Sequence, residues 1–225
     1  MQRGQLIVFE GSEGAGKSTQ LRRLAQRLAS AGVENSVLRE PGGTPLGDAI
    51  RRLVLEADHD ILPATEALLF MASRAELVER EIDPLLARGV VVLMDRFFLS
   101  TYAYQIAGRG LPAEQIRSAN ALAAAGTVPS LTLLIDVPAG EGLTRATARS
   151  AQDRIERSGD DFHARVGRAF SAFAEPEWQR LHPECGPIVR IDGLGDENIV
   201  HARVLDALAQ NLPLSFGMLD QHTAT

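Results

Sequence analysis

Two rhythms of hydrophobic and polar positions alternate along the chain. Ile7-Val8-Phe9 is a short, wholly apolar run, and after a Gly-rich turn Leu21, Leu24, Ala25 and Leu28 recur at helical spacing within Ser18–Ala31. This predicts a strand, a loop and a helix. A second strand over Ser36–Arg39 ends at Glu40-Pro41-Gly42-Gly43, where proline and two glycines break either period. Helical spacing returns from about Pro45 to Ala57 and from Thr65 to Arg88. Asp83-Pro84 inside the second stretch reads as an N-cap followed by N1, where the helix kinks or restarts.

Val90–Met94, Leu131–Asp136 and Ile188–Asp192 are apolar and β-branched, as suits strands buried on both faces of a parallel sheet. Helices are expected between and around them at Ser100–Ala107, Ala113–Ala124, Gly140–Ala148, Asp161–His182 and Ile199–Leu208. Five strands interleaved with helices predict an α/β fold with a doubly wound parallel sheet. Residues 1–212 read as one domain and 213–225 as a loosely held tail, while the very polar Arg149–Gly159 is expected to form a mobile lid.

Composition narrows the function. With 225 residues, 45% apolar, and a net charge of -6, the chain suits one domain with a substantial core and not a generic nucleic-acid binder. No apolar run approaches the roughly 20 residues of a membrane span. The N-terminus has no h-region of about 7–15 apolar residues, so a cytoplasmic location is expected. One cysteine and five scattered histidines without metal-ligand spacing argue against a zinc-built site.

Gly11-Ser12-Glu13-Gly14-Ala15-Gly16-Lys17-Ser18, followed by Thr19, fits the phosphate-loop pattern G-x-x-x-x-G-K-[ST] between strand and helix. Its glycines let consecutive N–H groups face phosphate oxygens, and the helix that follows adds its positive end. Lys17 supplies a cation for the terminal phosphates and Ser18 a hard oxygen for Mg²⁺. Binding of ATP or GTP with Mg²⁺ follows; the base-reading string of GTPase switches, N/T-K-x-D, is absent from the sequence. Asp95-Arg96 closes the third strand, at the edge where parallel sheets bind ligands. Phe70 and Arg74 share a helix face, as do Arg145 and Arg149 in the approach to the lid, with Arg154 and Arg157 beyond.

These strings resemble, in order and spacing over roughly residues 5–210, the bacterial thymidylate kinase family. The resemblance rests on Phe9–Gln20, Arg39-Glu40-Pro41-Gly42-Gly43-Thr44, Phe70 with Arg74, Asp95-Arg96, Ser100-Thr101, Tyr104-Gln105 and Asp153-Arg154-Ile155-Glu156. It is closest to the form whose catalytic arginine lies in the lid, since Gly14-Ala15 offers no basic residue. The resemblance implies transfer of the ATP γ-phosphoryl to dTMP in dTTP biosynthesis, by in-line displacement assisted by Mg²⁺, in a homodimer. It further implies that Lys17, Arg96 and Arg149 are catalytic, with Arg145 and Arg154 as neighbours of Arg149. Glu13 would take the 3′-hydroxyl, Phe70 would stack on thymine, and Arg74 with Arg96 would hold the acceptor phosphate. Tyr104 would exclude a 2′-hydroxyl, Gln105 would reach the base with Thr101 nearby, and Arg39 and Pro41 would line the pocket. Asp95 would position Mg²⁺, directly or through water, or orient Arg96. Ile106 and Thr147 depart from the family's small residue and further arginine. Another deoxynucleotide or deoxynucleoside kinase, or a phosphate-loop regulator, remain as alternatives; two cations facing a nucleoside's neutral hydroxyl would be left unpaired.

Overall fold

In a computed structural model that describes residues 3–138, 142 and 153–217, five parallel strands form one sheet in the order β2-β3-β1-β4-β5. The strands are β1 (Leu6–Glu10), β2 (Asn35–Arg39), β3 (Val91–Asp95), β4 (Leu131–Asp136) and β5 (Ile188–Asp192). In β1, successive side chains feed opposite faces: Leu6 and Val8 join one core with Val92, Met94 and Leu134, while Ile7 and Phe9 join a second with Val91, Leu93, Leu133 and Ile135. Both faces are dry, which is why these strands read as unbroken apolar runs.

Helices α1 (Lys17–Ser30) and α9 (Glu197–Asn211) cover the second core, with Leu21, Leu24, Leu28, Val204 and Leu208 turned inward. The first core lies under α3 (Pro63–Leu77), α5 (Phe98–Thr101) and α7 (Asp160–Phe173), which supply Leu77, Phe98, Leu99, Phe162 and Phe170. Around them run α2 (Pro45–Leu55), α4 (Asp83–Ala87), α6 (Ala113–Ala124), α8 (Pro176–Leu181) and α10 (Pro213–Phe216).

The structure corrects four expectations. Asp83 is no N-cap: α3 passes through a π-helical turn, Val78–Ile82, directly into α4, and Asp83 has helical dihedrals with its carboxylate accepting from Arg3 and Thr127. The wider turn absorbs the N–H that Pro84 lacks without ending the rod. A second π-helical stretch, Tyr102–Gly108, occupies most of the helix expected over Ser100–Ala107. The expected helix Asp161–His182 is two helices, because Glu175 before Pro176 is extended (φ -69°, ψ 135°). Finally, the tail begins later than expected, since Phe216 of α10 is fully buried in the second core. The expected helix Gly140–Ala148 falls almost wholly outside the described residues, as do Arg145, Thr147 and Arg149.

Candidate functional site

The carboxyl ends of β1 and β3 meet the phosphate loop. Gly11 has φ 139°, and a Cβ there would lie 2.3 Å from the Ile135 carbonyl oxygen, so only glycine lets the loop leave the sheet at this angle. Gly16, at φ 95°, turns the chain into α1. Lys17 reaches back along the loop and donates from Nζ to the Gly11 and Ser12 carbonyls at 2.9 and 2.7 Å. Burial and the nearby Arg96 push its ammonium down to about 8, against the pull of Asp95, Glu13 and Glu10. Beside it Ser18 Oγ donates to Asp95 Oδ2 at 2.7 Å, which joins the two oxygens assigned to Mg²⁺ from the sequence.

From this cradle opens a cleft of about 600 Å³, lined by Glu13, Lys17, Arg39, Pro41, Phe70, Arg74, Asp95, Arg96, Thr101, Tyr104 and Gln105 among others. The fold therefore gathers residues spread over more than eighty positions.

Arg96 sits at the junction. Its backbone is left-handed (φ 71°), unusual for a non-glycine residue, and this turns the guanidinium back over the loop. It donates to the Gly11 carbonyl, to Ser100 Oγ at 2.9 Å and to Glu13 Oε1 at 3.1 Å, and lies over the Tyr104 ring at 5.2 Å. Tyr104 donates its hydroxyl to the other Glu13 oxygen. Burial alone would raise the Glu13 carboxyl, but Arg96, Lys17 and the Tyr104 hydroxyl outweigh it and hold Glu13 below the usual range.

Arg74 is placed differently from the expectation that it holds the acceptor phosphate. It is 2% exposed, and it donates to both Glu40 oxygens, to Thr101 Oγ1, to Asn120 Oδ1 and to the Phe97 carbonyl. Those bonds use all five N–H groups of the guanidinium, so the fork is closed to an anion. Arg74 braces the cleft wall instead. Phe70, one turn away, is half-buried with part of its surface in the cleft.

Several residues in or behind the cleft carry no signal in the sequence. Arg51 lines it, donates to the Pro41 carbonyl at 3.0 Å and has no ion-pair partner among the described residues. Burial and Arg39 push its pKa down, against the pull of Asp153 and Asp95. Arg39, expected from the sequence to line the pocket, has among the described residues only a marginal ion-pair partner, Asp48 at 4.0 Å. Glu10 is fully buried and accepts from the N–H groups of Phe97 and Ser100 and from Ser100 Oγ, fixing α5 behind Arg96. Glu66, also fully buried, gathers Gln105, Arg109 and Arg154. Only spacing in three dimensions identifies these two; in the sequence each is an isolated acid.

The described part of the expected lid is anchored. Asp153 Oδ1 caps the N–H groups of Ile155 and Glu156, Ile155 is buried, and Arg154 donates to the Val54 carbonyl at the end of α2. Arg154 is thereby bonded to Glu66 and to the end of α2.

Comparison with known proteins places this arrangement. The family model of thymidylate kinase matches residues 9–183. A thymidylate kinase of Caulobacter vibrioides is 46% identical over 215 residues, covering 95% of this chain and all of the relative. One from Pelodictyon phaeoclathratiforme is 40% identical over 217 residues, covering 92% of this chain and 97% of the relative. Among solved structures, the thymidylate kinase of Ehrlichia chaffeensis superposes with a TM-score of 0.69 at 30% identity, over 92% of this chain and 98% of its own.

Proposed function

The chain belongs to the thymidylate kinase family of ATP-dependent nucleoside monophosphate kinases, and on that premise we propose how its residues carry the γ-phosphoryl of ATP to dTMP to give dTDP. The observation that carries the reading is Arg96, whose guanidinium touches the phosphate loop at Gly11 and Glu13 and, across the cleft, Ser100 and the Tyr104 ring. One cation at that junction faces both reacting anions.

ATP phosphates lie in the amides from Gly11 to Thr19, held by the N-terminus of α1. Lys17 exchanges its two carbonyl partners for β- and γ-phosphate oxygens, a swap that restores its full charge. The acceptor phosphate is held by Arg96 with Arg39 and Arg51; Arg74 keeps Glu40 and Thr101 in place around it. A phosphate monoester has its second pKa near 6, so the nucleophilic oxygen is already anionic and no general base is needed. What remains is alignment and charge cancellation, to which Arg149 of the lid contributes. Phe70 stacks on thymine, Gln105 meets its edge, Glu13 accepts from the 3′-hydroxyl, and the Tyr104 ring fills the space a 2′-hydroxyl would need.

Ser18 and Asp95 fit Mg²⁺: two hard oxygens 2.7 Å apart at the loop suit an ion that keeps several waters and shares the nucleotide's phosphates. When bound, the ion supplies neutralisation of charge on the β- and γ-oxygens. The exposed Leu53, Leu68 and Leu122, on α2, α3 and α6, of which α3 packs against both others, support a homodimer, because apolar surface of this kind is commonly covered by a second copy. No described helix is long and apolar enough to cross a membrane. We place the protein in the cytoplasm.

ADP release with ATP and Mg²⁺, offering dTMP, dUMP, UMP, dGMP, thymidine or no acceptor, tests the assignment. Selective turnover with dTMP is expected; turnover only with another acceptor would refute the base pocket.

A further inference from the structure

Gln105 and the lid share one buried carboxylate. Glu66 Oε1 accepts from Gln105 Nε2 at 3.0 Å and from Arg109 Nε at 3.1 Å, and its Oε2 accepts from Arg109 Nη2 at 3.0 Å and from Arg154 Nη2. Glu66 is fully buried and Gln105 is 2% exposed, while Gln105 also contributes to the cleft lining.

We infer that Glu66 is a positioning residue for base selection: by accepting only, it forces the Gln105 amide to turn its NH₂ inward and its carbonyl oxygen toward the acceptor's base. This rests on the dTMP reading above. The chemistry is one-directional. An ionised carboxylate has no proton to offer, so it can pair with Nε2 and never with Oε1. Arg109 and Arg154 keep Glu66 ionised, outweighing the effect of its burial. The atom that remains for the ligand is thus an acceptor. A base whose ring nitrogen carries a hydrogen, as thymine does at N3, satisfies it. A base with a bare ring nitrogen there, as in cytosine, sets acceptor against acceptor and leaves both desolvated and unpaired, which is where strong discrimination comes from. The same carboxylate, through Arg154, ties the end of the lid to α2 and α3. Base choice and lid attachment therefore depend on one side chain.

Replacing Glu66 by Gln tests this with little change of shape, because an amide at 66 can also donate and so permits Gln105 to reverse. The readout is the ratio of kcat/KM for dTMP to that for dCMP, or of the dCMP inhibition constant to the dTMP KM where dCMP is not turned over. A general loss of structure lowers both terms together, whereas reversal of one amide lowers their ratio. We expect Glu66→Gln to reduce the ratio by about tenfold or more, and the same substitution in a Gln105→Ala background to leave it unchanged. A folded Glu66→Gln enzyme with undiminished selectivity overturns the inference. Should that variant not fold, ¹⁵N NMR of the wild-type Gln105 side chain decides: its NH₂ should stay bonded to Glu66 when dTMP is added, and transfer of that donor to the ligand overturns it. A wild-type enzyme that ignores dTMP overturns both readings, and that is seen before any variant is made.

Discussion

The donor cradle and the acceptor wall solve the problem of holding an anion in opposite ways. The cradle is contiguous, Gly11 to Ser18, and is built largely from backbone; its one cation, Lys17, rests on the loop's own carbonyls. The wall is assembled from the 40–43 loop, α3, the end of β3 and the Tyr102–Gly108 stretch, and here buried or half-buried arginines are matched to carboxylates: Arg74 to Glu40, Arg109 and Arg154 to Glu66, and Arg96 across the junction to Glu13 of the cradle. A backbone cradle carries partial charges that need no partner when the ligand leaves. Guanidinium groups taken out of water do, and the carboxylates hold them in place between turnovers. Arg39 and Arg51, less tightly paired, keep their donors for substrate.

The largest effect is expected where the two regions touch. Arg96→Ala should lower kcat by about 10² to 10³, since the group acts on charge that develops in the transition state, with a smaller fall in melting temperature than loss of the buried Arg74, because the Arg96–Glu13 pair is only partly buried. Lys does not replace the fork, so Arg96→Lys should recover little. Steady-state rates beside thermal melts check this. If KM alone rises, Arg96 binds the acceptor without contributing to the transfer.

Arg74→Ala should behave in the reverse sense. It leaves Glu40 buried and unpaired at about 3–5 kcal/mol, which for a domain of this size is a fall of roughly 10 °C in melting temperature. Ser18→Ala on the exposed donor side should scarcely move the melting temperature and should raise the Mg²⁺ needed for half-maximal rate. Equal melting temperatures for Arg74→Ala and wild type would show that the wall is not held by its ion pairs.

That contrast also explains what the chain discloses before it folds. The five strands and the phosphate loop are legible because each depends on neighbours in sequence: an apolar run, a glycine pattern, a helix start. The wall depends on pairings across the chain, Glu40 with Arg74 and Glu66 with Arg154, and nothing local tells a solvated acid from one at zero exposure. Arg74 is the clearest case. A guanidinium near a phosphate pocket invites a binding role, and only the full set of its five donors shows that none is free. The π-helical turn ahead of Pro84 is similar, since proline signals a break and only packing of Val78 and Ile82 against the core keeps the rod continuous.

Within the wall, Phe70→Ala should separate acceptor from donor binding. Stacking of a base on an aromatic ring is worth about 1–3 kcal/mol, so the KM for dTMP should rise about tenfold or more while that for ATP stays put. Because stacking is present in ground and transition states alike, kcat should fall less. Matching losses in both KM values would mean that the ring supports the fold of the cleft.

The smallest effect separates the regions by pH. In the ligand-free protein the Lys17 ammonium titrates near pH about 8, pushed down by burial and by Arg96. A depressed lysine is one whose charged form is disfavoured, and bound phosphate favours that form, so above about pH 8 ATP binding must take up a proton. Affinity then declines as pH rises: by pH 9 roughly one molecule in ten carries the charge, and the KM for ATP should increase several-fold between pH 8 and 9. The acceptor side has no such group. Its arginines stay charged throughout, and Glu13, held below the usual carboxylate range, is ionised at both pH values. The KM for dTMP should therefore be flat over the same interval, measured at saturating ATP. A parallel rise in both constants would place the titrating charge at the junction, where Lys17 and Arg96 act as one unit and the division between cradle and wall dissolves.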